Sequence, residues 1–504
     1  MSASDLLNKL VSLCKRRGFI FQSSEIYGGL KSAYDYGPLG VEFKRNISDE
    51  WWRFMVRERE NVVGLDASIM MLSKVWEASG HLAGFADPLV DCKNCKERFR
   101  ADKAPTQTPG TNVEYRIGGK KDGELKQGIV DERGYICPVC NSPELSAERQ
   151  FNLMFKTSIG PVDPIDLLIK EIKESAGSHA EIRKSVEELL KPSTVHLRPE
   201  TAQAMFVQFL NVQQSLSMKV PFGIAQIGKS FRNEITTEKF IFRTCEFEQM
   251  EMEFFCEPGS HVEWLEYWKN ERMNWWQSFA NTPAKFKFRK HEPDELAHYA
   301  SDCYDIDFEY PWGWDELEGI ASRTDYDLSK HADLSGQKLS YFDPQKPDPD
   351  TGKNGWRYTP FVIEPAAGLT RGVLALLLDA YTEESGKDAE GKDKSRVLLK
   401  LHPKLAPYKA GVLPLVKKDG LPEVARKIVE EFFSEGINAR YDEQQSIGKR
   451  YAKHDEVGTP YCITVDHQTL EDETVTIRDR DTTNQERIPV KQALTTVKNR
   501  LIKD

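Results

Sequence analysis

Between Phe231 and Phe255 the sequence FRNEITTEKFIFRTCEFEQMEMEFF sets arginines and carboxylates at short intervals among phenylalanines. Arg232 and Glu234 leave one β-favouring segment, and Arg243, Glu246, Glu248, Glu251 and Glu253 load the segment that returns. Guanidiniums clamp polyphosphate bidentately, a ring such as Phe247 stacks on a base, and carboxylates hold a cationic amine or a phosphate-bound metal. Together these types describe a site for a nucleotide and an amine. An antiparallel hairpin with ion pairs on its wet face meets the same pattern. Two further segments favour the chemical reading. In HLRPETAQAMF (196–206), Glu200 follows Arg198-Pro199 and opens a helical segment. In FVIEPAAGLTRGVLALLLDAY (361–381), an apolar strand carrying Glu364 is expected to break at Pro365 and Gly368 before an apolar helix begins around Arg371.

Four of the nine cysteines fall as Cys92-x-x-Cys95 and Cys137-x-x-Cys140. Each knuckle presents two sulfurs from one turn, and the pair points to one tetrahedral zinc ion, structural because four protein ligands leave no open position. Reduced core cysteines or a redox pair are the alternatives. The intervening TPGTNVEYRIGGKKDGELKQG suits an extruded hairpin that leaves the knuckles adjacent.

The elements that must position these groups follow from the rest of the chain. Its 504 residues exceed one ordinary core, so two or three domains are expected. Composition, 39% hydrophobic and 29% charged, is that of a soluble globular protein. The opening MSASDLLNKLVSLCKRRGF has helical spacing without a signal-peptide core, and no apolar run is long enough for a bilayer, so a cytoplasmic location is expected. A net charge of −10 argues against nonspecific coating of nucleic acid. The chain from Ser395 onward is slightly positive, which suits contact with a polyanion or simply a solvated surface.

Residues 1–90 read as a helix, the YGPLG turn, a long amphipathic helix through Trp51, Trp52 and Arg57, and a strand in VVGLDASIM. An insertion carrying the knuckles spans about 91–145, and a charged helical one about 163–193. From Val195 to about Tyr381 strands dominate, implying an antiparallel sheet and an α+β fold rather than a doubly wound one. Segments 344–356 and 385–395 read as polar loops, the second as a domain boundary. Beyond it, alternating strands and helices predict a small, mostly parallel α/β domain over 395–504, after a first domain of 1–384.

The Arg-x-Glu strand with its loop and Phe247, the Gly-Leu-Thr-Arg entering an apolar helix, and Tyr36-Gly-Pro-Leu-Gly40 before a long helix resemble the three motifs of class II aminoacyl-tRNA synthetases. Within that class YGPLG, FNLMF (151–155), HLRPETAQ, FRNEI, GIASRTDYDL (319–328) and VIEPAAGLTR (362–371) resemble the homodimeric glycyl-tRNA synthetase family, in order over almost the whole chain. The segment IGKRYAKHDEVGTPYCITV is similar to the anticodon-binding domain shared by glycyl, histidyl, prolyl and threonyl synthetases.

This resemblance implies ATP-dependent activation of glycine to glycyl-adenylate and transfer to tRNA(Gly), releasing AMP and pyrophosphate. Arg232 and Arg371 are the implied catalytic residues. Asn233, Glu234, Phe242, Arg243, Thr244, Cys245, Glu246, Phe247, Glu316, Leu317 and Gly368 join them around ATP. Glycine is implied to meet Arg100, Glu200, Phe247, Glu251 and Glu364, with Arg100 aimed by the adjacent knuckle. Mg²⁺ is expected with ATP and structural Zn²⁺ on Cys92, Cys95, Cys137 and Cys140. A homodimer with no membrane or DNA partner completes the expectation. Ala366 stands where many members carry Ser, and Cys245 where some carry Arg. A non-catalytic relative or a prolyl or threonyl enzyme are the competing readings, disfavoured by the phosphate arginines and by HLRPETAQ with VIEP respectively.

Overall fold

The structure, a computed structural model, describes the chain apart from residues 1–2, 162, 175–176, 238, 298, 388–392 and 504. Its first helix, α1 (Ala3–Arg17), buries Leu10, Leu13 and Cys14 on one face. In α2 (Pro38–Trp52), Pro38 occupies the first turn, where a missing N–H costs nothing. Gly40 follows because the turn packs on backbone: a Cβ there would lie 1.8 Å from the Phe19 carbonyl oxygen. Leu39, Phe43, Ile47 and Trp51 recur at helical spacing and face the core.

The core lies against a seven-stranded sheet made of β1 (Val62–Gly64), β2 (Phe222–Phe231), β3 (Glu246–Cys256), β4 (Phe286–Lys290), β5 (Asp302–Tyr310), β6 (Gly313–Thr324) and β7 (Phe361–Gly368). Their order is β4-β5-β6-β7-β3-β2-β1, antiparallel except for the β1–β2 edge. The two-residue period of β3 sends Met250, Met252 and Phe254 into the core and Gln249, Glu251 and Glu253 to the other face. Helices α3 (His261–Ser278) and α4 (Leu369–Ala380) cover the core side. Helix α4 is apolar almost all round and buried almost all round, as such a helix must be. At Gly372 a Cβ would come within 2.6 Å of the Trp276 ring, so the glycine permits the close packing of α4 on α3. Trp276 also donates its indole N–H to Glu318 of β6, which is paired with Arg272 of α3 at 2.7 Å in full burial.

Two irregularities shape the opposite face. Pairing of β5 with β6 shifts at Ile306/Asp307, so Asp307 lies opposite Glu316 and Ile306 opposite Glu318, and Leu317 is the extra residue. This bulge sinks Leu317 and Glu318 while both Glu316 and Gly319 reach the outer face. The second lies at Pro365. Pairing of β3 with β7 runs Gln249–Gly368, Met250–Ala367 and Glu251–Ala366, then resumes only at Phe254–Ile363. The strand does not end at Pro365 as expected from sequence; it continues to Gly368, and the ladder skips where proline has no N–H to give.

The polar segments read as loops are hairpins instead. Tyr341–Pro347 pairs with Asn354–Tyr358, and Tyr381–Lys387 with Asp393–Leu399. Gly, Pro and charge content hid these strands, and residues 388–392 of the segment expected as a loop lie outside the described residues. The knuckle insertion carries the hairpin Asn112–Arg116/Leu125–Ile129, and the second insertion holds helices Pro164–Glu174 and His179–Leu190. In the C-terminal unit the order is Ala439–Tyr441, Ala410–Pro414, Tyr461–Val465, Thr474–Asp479, Gln485–Pro489. The first three strands are parallel and the last two join antiparallel, so the sheet is mixed rather than mostly parallel. Leu405 and Ala406 belong to the large core and Ala410 to the small one, so the cores part after residue 406, later than the expected 395.

Candidate active site

On the outer face of the large sheet lies a cleft of about 280 Å³. At one end Arg232, just beyond β2, closes the turn through its N–H to the Cys245 carbonyl at 2.9 Å. Its Nε donates to the Pro199 carbonyl at 3.0 Å, and its guanidinium lies 5.3 and 5.2 Å from the ring centroids of Phe85 and Phe247. Arg371, in the first turn of α4, rests 4.6 Å over Phe242 and pairs with Glu316 at 3.2 Å. That guanidinium, more than any other influence, holds the Glu316 carboxyl below the usual carboxylate range. Arg243 pairs with Glu234 at 3.3 Å. Both phosphate-type arginines thus line one opening, and Arg371 adds the partial positive charge of a helix N-terminus.

The other end is acidic. Glu200, Glu251 and Glu364 line it, brought from the HLRPETAQ turn, β3 and β7. Glu251 accepts from the Thr201 hydroxyl and, at 3.3 Å, from Gln249. Burial first, then the charges of Glu364 and Glu200, push its pKa up to about 8. Burial also raises that of Glu364, although Arg323 at 2.6 Å works against it. Burial would raise Glu200 too, but His81 at 3.3 Å, with help from Arg323 and Gln203, holds it far below the usual range. Arg323 makes a fork on Asp327 at 2.7 and 2.9 Å and lies 3.8 Å from the Tyr299 ring centroid. Gln203 joins Asp327 to Glu200 at 2.9 and 3.0 Å.

Of the residues expected from sequence, Glu200, Arg232, Glu234, Phe242, Arg243, Thr244, Phe247, Glu251, Glu316, Glu364, Gly368 and Arg371 line the cleft. Leu317 does not: the bulge buries it in the core. Asn233 spends its N–H on the Leu153 carbonyl, Cys245 on that of Ser32, and Glu246 pairs with Lys229 beside a neighbouring cleft. Arg100 lies off the lining and pairs with Asp87 and Asp102. Sequence reasoning passed over Arg323 and Asp327, although both fall within GIASRTDYDL, where an Arg four residues before an Asp was the available signal. His81, Tyr299, His291 and Asp305 had no local signal.

Away from the cleft, Cys92 and Cys140 approach to 3.6 Å between sulfurs, as do Cys95 and Cys137, and all four sulfurs lie within 4.8 Å of one another. A tetrahedron with metal–sulfur bonds of 2.3 Å has edges of about 3.8 Å, so the cluster fits a thiophilic, four-coordinate cation. Asn94 and the Cys95 amide donate towards Cys140 and Cys92, as expected around thiolates.

A cleft on an antiparallel sheet, with one arginine after the Arg-x-Glu strand and another at the head of an apolar helix, defines a class II aminoacyl-tRNA synthetase. The fold agrees: Cryptosporidium parvum prolyl-tRNA synthetase, solved with L-proline and AMP, superposes with a TM-score of 0.58 at 12% identity, over 98% of this chain and 75% of that one. Residues 409–500 match the anticodon binding domain family. The glycine–tRNA ligase of Treponema denticola is 48% identical over 98% of this chain and 97% of its own length, and that of Clostridium perfringens is 47% identical over 97% of each. The chain belongs to the glycine–tRNA ligase family.

One pH prediction follows from the acidic end. Without an ammonium beside them, Glu251 and Glu364 keep protons in the folded protein over a range where the unfolded chain has released them, so the contribution of Glu251 falls as pH rises from about 4.5 towards 8 and that of Glu364 falls above about 4.5. Arg323 lowers both, and losing it extends that range upward. Arg323→Met is expected to depress the thermal transition more at pH 8 than at pH 6, by calorimetry. Equal depression at both would mean that these carboxyls do not titrate there.

Proposed function

We propose that the cleft makes glycyl-adenylate by holding ATP at its arginine end and the glycine ammonium at its carboxylate end. The observation that carries this reading is the union, in one cleft, of two guanidiniums with a buried carboxylate cluster that has fewer cations than anions. ATP arrives as its Mg²⁺ complex. Arg232 bridges the α-phosphate and the glycine carboxylate, and Arg371 takes the γ-phosphate. The glycine carboxylate attacks the α-phosphorus, and pyrophosphate leaves with the charge both guanidiniums neutralise; positioning and charge carry the rate. Phe247 stacks on adenine, with Glu234, Arg243 and Thr244 at its edge. Glu200, Glu251 and Glu364 hold the ammonium. A tRNA terminal hydroxyl then attacks the adenylate carbonyl and AMP leaves. No smaller amino acid competes, so sterics suffice and hydrolytic editing is not needed.

We place the catalytic unit before the parting of the two cores and the anticodon-reading unit after it, with the knuckle and helical insertions on the former. The free thiols fit a reducing cytoplasm. Zinc on Cys92, Cys95, Cys137 and Cys140 would hold the knuckle insertion folded. Ile26 and Tyr27, each 87% exposed in the turn Glu25–Tyr27 that precedes α2 in the chain, fit a two-fold dimer contact.

Arg232→Ala and Arg371→Ala are each expected to slow glycine-dependent pyrophosphate exchange roughly 100- to 1,000-fold. Glu200→Ala should instead raise KM for glycine and leave KM for ATP nearly unchanged; equal loss for both would assign that carboxylate to the wrong substrate. Metal analysis should find about one zinc per chain, released by Cys137→Ser with loss of insertion stability. Sedimentation at micromolar concentration should give a dimer, and an active monomer would remove that reading. Deletion after residue 406 should spare pyrophosphate exchange and abolish charging of tRNA.

A further inference from the structure

Glu253 has no part in the scheme above, yet it is wholly buried beside the ammonium site, and neither of its oxygens has a hydrogen-bond partner among the described residues. It leaves β3 on the same face as Glu251, and oxygens of Glu251, Glu253 and Glu364 lie within 4.8 Å of one another. The register that sets Glu251 opposite Ala366 and Phe254 opposite Ile363 puts Glu253 opposite Glu364, at the step where the ladder is interrupted beside Pro365. Like charges directly opposite on neighbouring strands repel, and burial weakens the screening between them. The charged groups facing Glu253 are Glu251 on its own strand, Glu364 on β7, Arg323 on β6 and Asp327 on the helix Tyr326–Ser335. Arg323 is the one cation of that set, and it is committed to Asp327 and Glu364.

We propose that Glu253 stays protonated through the catalytic cycle and is a positioning residue, its carboxylic O–H donating to Glu364 so that the Glu364 carboxylate is held in orientation for the substrate ammonium. The proposal rests on the reading of Glu364 as an ammonium ligand. Burial first, then the charge of Glu364, keep the Glu253 carboxyl well above the usual range, in agreement with the geometry. A neutral acid here limits the negative charge around the ammonium to groups that touch it. It also satisfies a buried carboxylate that Arg323 reaches on one oxygen only.

Glycine-dependent pyrophosphate exchange by Glu253→Gln, Glu253→Met and Glu364→Gln tests this. Glutamine keeps a neutral donor, whereas methionine fills the volume and donates nothing. KM for glycine is expected to stay within about threefold of wild type for Glu253→Gln and to rise about tenfold or more for Glu253→Met, with KM for ATP unchanged in both. The pH profile of Glu253→Gln should match that of wild type between pH 6 and 9 if Glu253 never ionises there. A glutamine variant as impaired as Glu364→Gln would make Glu253 a working anion and overturn the proposal, a result that stands even if the methionine variant fails to fold. A methionine variant indistinguishable from wild type would overturn it as well. An unchanged glycine KM in Glu364→Gln would remove the ammonium reading itself, whatever the Glu253 variants do.

Discussion

Carboxylates taken out of water repel one another and must find cations, protons or hydrogen bonds to remain. The outer face of the large sheet concentrates Glu200, Glu251, Glu253, Glu364 and Asp327 around the buried guanidinium of Arg323, with Arg198 near Glu251. The surrounding architecture answers that imbalance. Gln203 ties Asp327 to Glu200, His81 supports Glu200 from outside the sheet, and Thr201 and Gln249 donate to Glu251. On the proposed reading, a substrate that brings one ammonium into this group binds because it relieves that deficit. On the same reading the arginine end takes the phosphates, so each end of the cleft selects one end of the reacting pair.

Much of this was legible in the chain because the chemistry is carried by short runs. An Arg-x-Glu leaving a strand, a Gly-Leu-Thr-Arg opening an apolar helix and paired CxxC knuckles each state their geometry locally, and the residues in them meet in space. What was illegible depends on pairing between distant strands. Nothing near Leu317 announces the bulge that turns it inward, since the shift is set by its fit against Asp307 of β5. Pro365 argued for a strand end because a central proline forfeits a ladder bond. That bond is forgone where β3 and β7 already separate around Glu253 and Glu364. The strands of 341–347, 354–358, 381–387 and 393–399 escaped for a third reason: they form two-stranded ribbons, which need no alternating apolar face.

The two units each have a core of their own and share charged contacts. Arg16 and Arg17, at the end of α1, meet Glu456 at the end of the helix Ile447–Glu456. Arg396 of the 381–399 hairpin reaches Asp455 at 2.9 Å, and Asp455 is also held by Arg478 at 2.8 Å. Basic side chains at a helix C-terminus suit its partial negative charge. Val457, next to Glu456, also packs into the large core beside Leu399 and Leu401, so the anticodon-binding unit is held against the catalytic unit by an apolar contact as well as by paired charges, and only the exposed pairs weaken with ionic strength.

The position of β7 bears on synthesis. It is the last strand of the large sheet to leave the ribosome and it lies at the centre, between β6 and β3. Until Phe361–Gly368 emerges, β4-β5-β6 and β3-β2-β1 have nothing to join them, and any part of either that has paired presents an open edge. Such edges template pairing with other chains. Insertion of β7 closes the sheet, brings Glu364 opposite Glu253 and dehydrates the group in one step, so the cleft comes into being with the final strand and not before it.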